Sequence, residues 1–250
     1  MRLDQLLNVA GFGSRGEVQR LLKSKQVRVD DEVVMLGAQN VDSGLQRIEV
    51  GQQRILDFAE HYYLLNKPRG VVSAVTDAQH QTVIECLPPV LQHPQLYPVG
   101  RLDRDTTGLV LLTTNGPLGF RLLHPQYHVE KEYEVVVNGW LDQQAVDAFA
   151  SGVVFSDGTN CKPALLQIIE QNKTLSKARV TLSEGKFHQI KKMFLTVGVK
   201  VIGLKRIRFG ELRLEDSLPE GAWRELTAQE LEYIIKYLKT SHKNTESVLR

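Results

Sequence analysis

The chain has 250 residues, 42% of them hydrophobic and 24% charged, enough for one or two globular domains with a buried core. No run approaches the roughly 20 apolar residues that a membrane-spanning helix needs. The N-terminal MRLDQLLNVAG contains Asp4 and lacks the apolar core of a secretory signal, so a cytoplasmic protein without a membrane partner is expected. Cys86 and Cys161 stand alone, with no CxxC spacing and no His/Cys zinc pattern, which points to reduced thiols and no metal. Net charge is only +2, yet the basic residues are clustered. Arg15, Arg20, Lys23, Lys25 and Arg28 face a single acid, Glu17, while Lys186 to Arg208 holds seven cations (Lys186, Lys191, Lys192, Lys200, Lys205, Arg206, Arg208) and no acid. Two such clusters on a nearly neutral chain suggest a polyanionic partner.

In chain order, Leu3, Leu6 and Leu7 recur at helical spacing. Ser14-Arg15-Gly16-Glu17 matches a capping box, and a helix to about Ser24 would turn Val18, Leu21 and Leu22 inward. Val27-Arg28-Val29 alternates as a strand, Asp30-Asp31 suits a tight turn, and Val33-Val34 returns. Residues 52–60 are polar enough for a linker. Strands are then predicted over 62–65, 71–75, 109–113, 133–137, 164–169, 178–182 and 201–208, and helices over 118–123, 143–150, 188–197 and 228–238. Runs of strands with irregularly placed helices argue for an α+β fold with a mainly antiparallel mixed sheet. The polar tail from Thr240 is expected to be loose.

Met1-Arg2-Leu3-Asp4, Ser14-Arg15 and Gln26-Val27-Arg28-Val29-Asp30 resemble the αL RNA-binding module found in a ribosomal protein and in many RNA-modifying enzymes, over roughly residues 1–48. A rigid basic face with a hairpin suits phosphate tracking along A-form RNA. The organisation expected is therefore a module and linker over 1–58, a second domain over 59–240 and a tail over 241–250.

The segment GRLDRDTTG, residues 100–108, packs two arginines, two aspartates and two threonines between glycines and runs into Leu109-Val110-Leu111-Leu112. By itself it reads as a capped surface turn. An Asp103/Asp105 metal pair is a weak alternative, since no third carboxylate lies nearby in sequence. Three further motifs change that reading: Asn66-Lys67-Pro68-Arg69-Gly70, Glu130-Lys131-Glu132-Tyr133, and Glu184-Gly185-Lys186-Phe187-His188-Gln189-Ile190-Lys191-Lys192-Met193. In this order they resemble the motif set of the RsuA/RluB/E/F family of ribosomal RNA pseudouridine synthases, over essentially the whole chain. The forms GRLDRDTTGL and HVEKEY lean toward its small-subunit branch.

The resemblance implies a pseudouridine-synthase domain and an enzyme that isomerises a uridine of ribosomal RNA, without cofactor or metal, as a monomer acting on the RNA or an assembly intermediate. Asp103 would be the nucleophile, Tyr133 the aromatic that stacks on the uracil and serves as general base, and Lys191 the cation paired with the aspartate. Arg101 would help hold the flipped base. Lys67, either paired or on a phosphate, would shape the loop beneath the site, with Phe187 and His188 also near the substrate. Arg2, Arg15, Arg20, Lys23, Lys25, Arg28, Lys186 and Lys192 would meet RNA. The rivals are a large-subunit enzyme of the same family, a non-catalytic ribosome-assembly factor and a metal-dependent nuclease.

Overall fold

The computed structural model describes residues 1–239; the tail expected over 241–250 lies outside them. The first elements are α1 (Leu3–Val9), α2 (Arg15–Lys23), β1 (Val27–Val29), β2 (Glu32–Val33), β3 (Ile48–Val50) and β4 (Gln53–Ile55). Glu17 Oε2 accepts from the Ser14 amide at 2.7 Å, the reciprocal contact that opens α2. Leu3, Leu6, Leu7, Val18 and Leu22 are buried beneath the sheet residues Val27, Val29 and Ile48. The β1–β2 turn holds Asp30 and Asp31 at φ +50° and +67°, a conformation that short polar side chains tolerate better than most. The four-stranded sheet runs β2-β1-β3-β4. The linker expected over 52–60 is partly a strand: Val50 faces Gln53 across the turn Gly51-Gln52, with Gly51 at φ +61°. Its polarity reflects an exposed edge strand, not a free connection.

The chain continues with β5 (Tyr62–Lys67), β6 (Tyr97–Val99), β7 (Thr107–Thr113), α3 (Gly116–Leu123), β8 (Lys131–Asn138), α4 (Gln143–Ser151), β9 (Leu165–Gln171), β10 (Ser176–Leu182), α5 (Gln189–Thr196), β11 (Lys200–Phe209), β12 (Leu212–Arg213), β13 (Trp223–Glu225) and α6 (Ala228–Lys239). A nine-stranded sheet runs β13-β5-β7-β11-β8-β10-β9, with β12 on β11 and β6 on β7. β8 alternates strictly, placing Lys131, Tyr133, Val135 and Val137 on the buried face. β11 pairs antiparallel with β8 and parallel with β7. The parallel pairing sets Gly108 against Arg206. A Cβ on Gly108, which sits at φ +104°, would overlap the Arg206 backbone, so only glycine lets the two strands meet there.

The strand expected over 71–75 does not form. Val72 makes a single bridge to Thr82, and the Ser73 hydroxyl accepts from the Leu102 amide at 3.0 Å and donates to its carbonyl at 3.1 Å. A side chain replaces the strand ladder. The strands that periodicity missed, β3, β4, β6, β12 and β13, have two or three residues each and are too short to show a period. Two compact units emerge among the described residues: 1–62 with 113–122 and 226–239, and 63–112 with 123–225.

Candidate active site

The site lies in the unit formed by residues 63–112 and 123–225, where the loop from Gly100 to Thr106 joins β6 to β7. That loop is fastened from below. Lys67 is 0% exposed, and its ammonium donates to the carbonyls of Thr106 at 2.8 Å, Pro68 at 3.1 Å and Arg104 at 3.4 Å. The Gly70 amide binds the Arg104 carbonyl at 2.8 Å, and the Thr106 amide closes a turn on the Asp103 carbonyl at 3.0 Å. Lys67 thus spends its donors on backbone carbonyls of this loop and reaches neither a carboxylate partner nor the surface, unlike the pairing or phosphate contact expected of it. Burial pushes its ammonium down to about 8 against the pull of Asp105, Cys86 and Asp103.

On this loop Asp103 presents a carboxylate 30% exposed. Lys191 Nζ, from α5, bridges Asp103 Oδ2 at 2.8 Å and Asp105 Oδ1 at 2.6 Å. Burial lowers the Lys191 ammonium, but its hydrogen bonds to the two carboxylates outweigh this and hold it above the usual lysine value. The same hydrogen bond from Lys191 draws Asp105 below the ordinary carboxylate range. The two aspartates weighed as a metal pair share one ammonium instead. His188 Nε2 stands 3.5 Å from Asp103 Oδ1.

Asp103, Tyr133 and Lys191 line one small pocket of about 100 Å³, together with Arg101, His188 and Glu184. A larger cavity of about 870 Å³ shares Arg101, Asp103 and Tyr133 with it and adds Phe187, Lys131 and Arg206. The catalytic trio expected from the motifs thus meets at one place. α5 begins one residue later than expected: His188 occupies the position before it, at φ +53°, with its ring 3.8 Å from that of Phe187. Phe187 is 72% exposed, so it is no part of the core.

Glu184 organises the approach to α5. Its Oε1 accepts from the Lys162 amide at 2.9 Å and from Gln189 Nε2 at 2.5 Å, and Oε2 pairs with Lys186. Burial would raise its pKa, but these donors hold the carboxyl below its ordinary value. The second basic cluster is therefore not one open face. Lys186 pairs with Glu184, Lys191 with the aspartates, Lys192 with Asp157 at 3.7 Å, and Arg208 with Glu130 and Glu132, while Arg206 is buried. A linear count of charges could not see these partners, which come from other elements. In the N-terminal module Arg15, Arg20, Lys23, Lys25 and Arg28 are exposed, and Arg2 is held by Asp4 at 2.6 Å.

Sequence reading gave no individual role to Ser73, Glu184, Gln189, Lys131 or Arg206, although all but Ser73 lie in the motifs or the basic cluster it singled out. Lys131 had a signal: it stands two residues before Tyr133, on the inward phase of an alternating strand, where a lysine is out of place.

Comparison with known proteins now adds to the geometry. Residues 61–196 match the RNA pseudouridylate synthase family and residues 1–46 the S4 domain. A Pseudomonas aeruginosa ribosomal small subunit pseudouridine synthase A is 41% identical, covering 92% of this chain and 99% of that protein. An uncharacterised RNA pseudouridine synthase of Bacillus subtilis is 39% identical, covering 92% and 97%. The crystal structure of a pseudouridylate synthase superposes over 94% of this chain and 99% of that one, with TM-score 0.66 and 32% identity.

Proposed function

The chain belongs to the RNA pseudouridylate synthase family, and on that premise we propose that it converts one uridine of small-subunit ribosomal RNA to pseudouridine. The observation behind this reading is the single pocket on which Asp103, Tyr133 and Lys191 converge. In the reaction the N1–C1′ bond breaks, the uracil turns in the site, and C5 bonds to C1′. C5 gives up a proton and N1 gains one, so the isomerisation is redox-neutral and calls for no cofactor. The Asp103 carboxylate either adds to the electron-poor C1′ or removes the C2′ proton, and both paths begin at the same oxygen. Lys191 holds that carboxylate in place; Tyr133 stacks on the uracil and takes the C5 proton. Exposed Arg101 keeps the flipped nucleotide out of its stack.

In this reading the protein acts as a cytoplasmic monomer on ribosomal RNA or an assembly intermediate. Residues 1–58 add affinity for structured RNA, and residues 59–240 carry the chemistry. Asp103→Asn, nearly isosteric, should lower tritium release from 5-tritiated ribosomal RNA by about 10³-fold or more. Turnover at the normal rate would remove Asp103 from the mechanism. Pseudouridine mapping in ribosomal RNA from cells with and without the protein identifies the nucleotide; a change confined to large-subunit RNA would overturn the small-subunit assignment.

A further inference from the structure

Two cations in the larger cavity have no task in the reaction as described. Arg206 is 2% exposed and pairs in register with Tyr133, so the two side chains leave the sheet on one face. Its Nε donates to the Leu109 carbonyl at 2.7 Å, and its Nη2 is buried without a hydrogen-bond partner. Lys131, 7% exposed, is two residues from Tyr133 on the same buried face, and its Nζ donates to the Val129 carbonyl at 2.9 Å. Both cations lie over the Phe209 ring, at 5.6 Å for Lys131 and 5.2 Å for Arg206. Their hydrogen-bond partners are carbonyls, not carboxylates. Glu184, the carboxylate on the same cavity wall that draws on Lys131, is itself engaged by Lys186, Gln189 and the Lys162 amide, which leaves the pair's positive charge only partly offset. Such a pair is costly to bury unless something arrives to neutralise it.

Asp103 cannot be that partner, since Lys191 holds it. Yet the loop bearing Asp103 comes close: a Cβ on Gly100 would stand 3.9 Å from Arg206 Nη1. The anion must come with the substrate, and the only anions RNA carries are its phosphates. We propose that Lys131 and Arg206 form the seat for a phosphate of the nucleotide being isomerised, holding it while its sugar faces Asp103. The cavity, at about 870 Å³, lies within the range of small-molecule sites and is lined by Asp103, Tyr133 and both cations. Burial, aided by repulsion from Arg206, brings the Lys131 ammonium down to about 8 against the pull of Glu184, so the carboxylate present does not fully offset its charge.

The inference rests on the uridine-isomerising reading of the same site, and its test separates the two. The full-length protein, with Lys131→Met and Arg206→Lys variants, is titrated with uridine 5′-monophosphate, uridine and inorganic phosphate. The wild type should bind the monophosphate about tenfold tighter than uridine, and Lys131→Met should erase that preference. On small-subunit ribosomal RNA both variants should raise KM about tenfold with kcat within about twofold, as expected when binding is lost equally from ground and transition states. Equal affinity for the two ligands in the wild type, no binding of the monophosphate, or a fall in kcat at unchanged KM would each overturn the seat. Lys131→Met removes a buried charge and should melt no lower than the wild type, so a purely structural role would show as lost stability with the preference intact. Were no ribosomal RNA modified, the mononucleotide comparison would still judge the seat. Were the comparison to fail while Asp103→Asn still abolished turnover, only the seat would fall.

Discussion

Lys67 shows how much one side chain can depend on its place. A lysine followed by proline, arginine and glycine would ordinarily be taken for a surface cation, yet this one is sealed inside and spends its donors on the loop that carries Asp103. Lys67 and Lys131 both titrate near 8 when folded, against an ordinary 10.5. Between those values the unfolded chain holds protons that the folded chain has lost, so stability should rise with pH above about 8, by up to about 1.4 kcal/mol per pH unit for each lysine. The window closes near about pH 9, because burial raises the Cys86 and Cys161 thiols, and both penalise folding once the unfolded thiols ionise. The buried Tyr62 hydroxyl, raised by burial and by Asp42, adds to this at higher pH. Urea midpoints should therefore climb between about pH 8 and about pH 9 and level off above, and Lys67→Met should remove about half of the rise. A flat profile in the wild type would mean that neither ammonium is as deeply desolvated as its burial implies. Asp103, Tyr133 and Lys191 were legible as residues because their motifs carry them. That Asp105 shares Lys191 was not, because the contact joins a loop to a helix 86 residues further on.

At the scale of elements, long periodic segments such as β8, β10 and α4 were readable, since each pays its way with one buried face. The segment over 71–75 was misread because Ser73 satisfies the Leu102 backbone with a hydroxyl, a contact that apolar patterning does not register. The parallel pairing of β7 with β11 was equally hidden, although its enabling residue, Gly108, stood in the motif that drew attention first. Gly108→Ala should force the strands apart and cost about 2–4 kcal/mol. It should also impair turnover, since Asp103 sits just before β7 and Arg206 just across from Gly108. Gly16→Ala in α2 is the control: nothing lies within 4 Å of the added methyl, and stability should hold or rise by up to about 1 kcal/mol. Melting curves of the two variants decide the matter, and an unperturbed Gly108→Ala would mean that the strands can part without harm.

For the whole molecule, the question is which of the 31 lysines and arginines meet RNA. Linear charge gave the two basic clusters similar standing, but the fold divides them. From Lys186 to Arg208 several cations are engaged with Glu184, Asp103, Asp105, Asp157, Glu130 and Glu132, and Arg206 is buried. Arg15, Arg20, Lys23, Lys25 and Arg28 remain exposed on a module whose only acid within that span, Glu17, is occupied by Ser14. If that face tracks phosphates, each contact releases condensed counter-ions, and affinity falls with salt in proportion to the number of contacts. Replacing all five by glutamine should make the slope of log K against log salt shallower by roughly 3–4. Because none of the five lines the pocket of Asp103, kcat at saturating RNA should stay within about twofold of the wild type. Filter binding of ribosomal RNA between 50 and 300 mM salt, on the order of the range over which such slopes are read, gives the first number, and tritium release gives the second. An unchanged slope would move RNA recognition off this module, while a collapse of kcat with the slope intact would tie these residues to the chemistry instead.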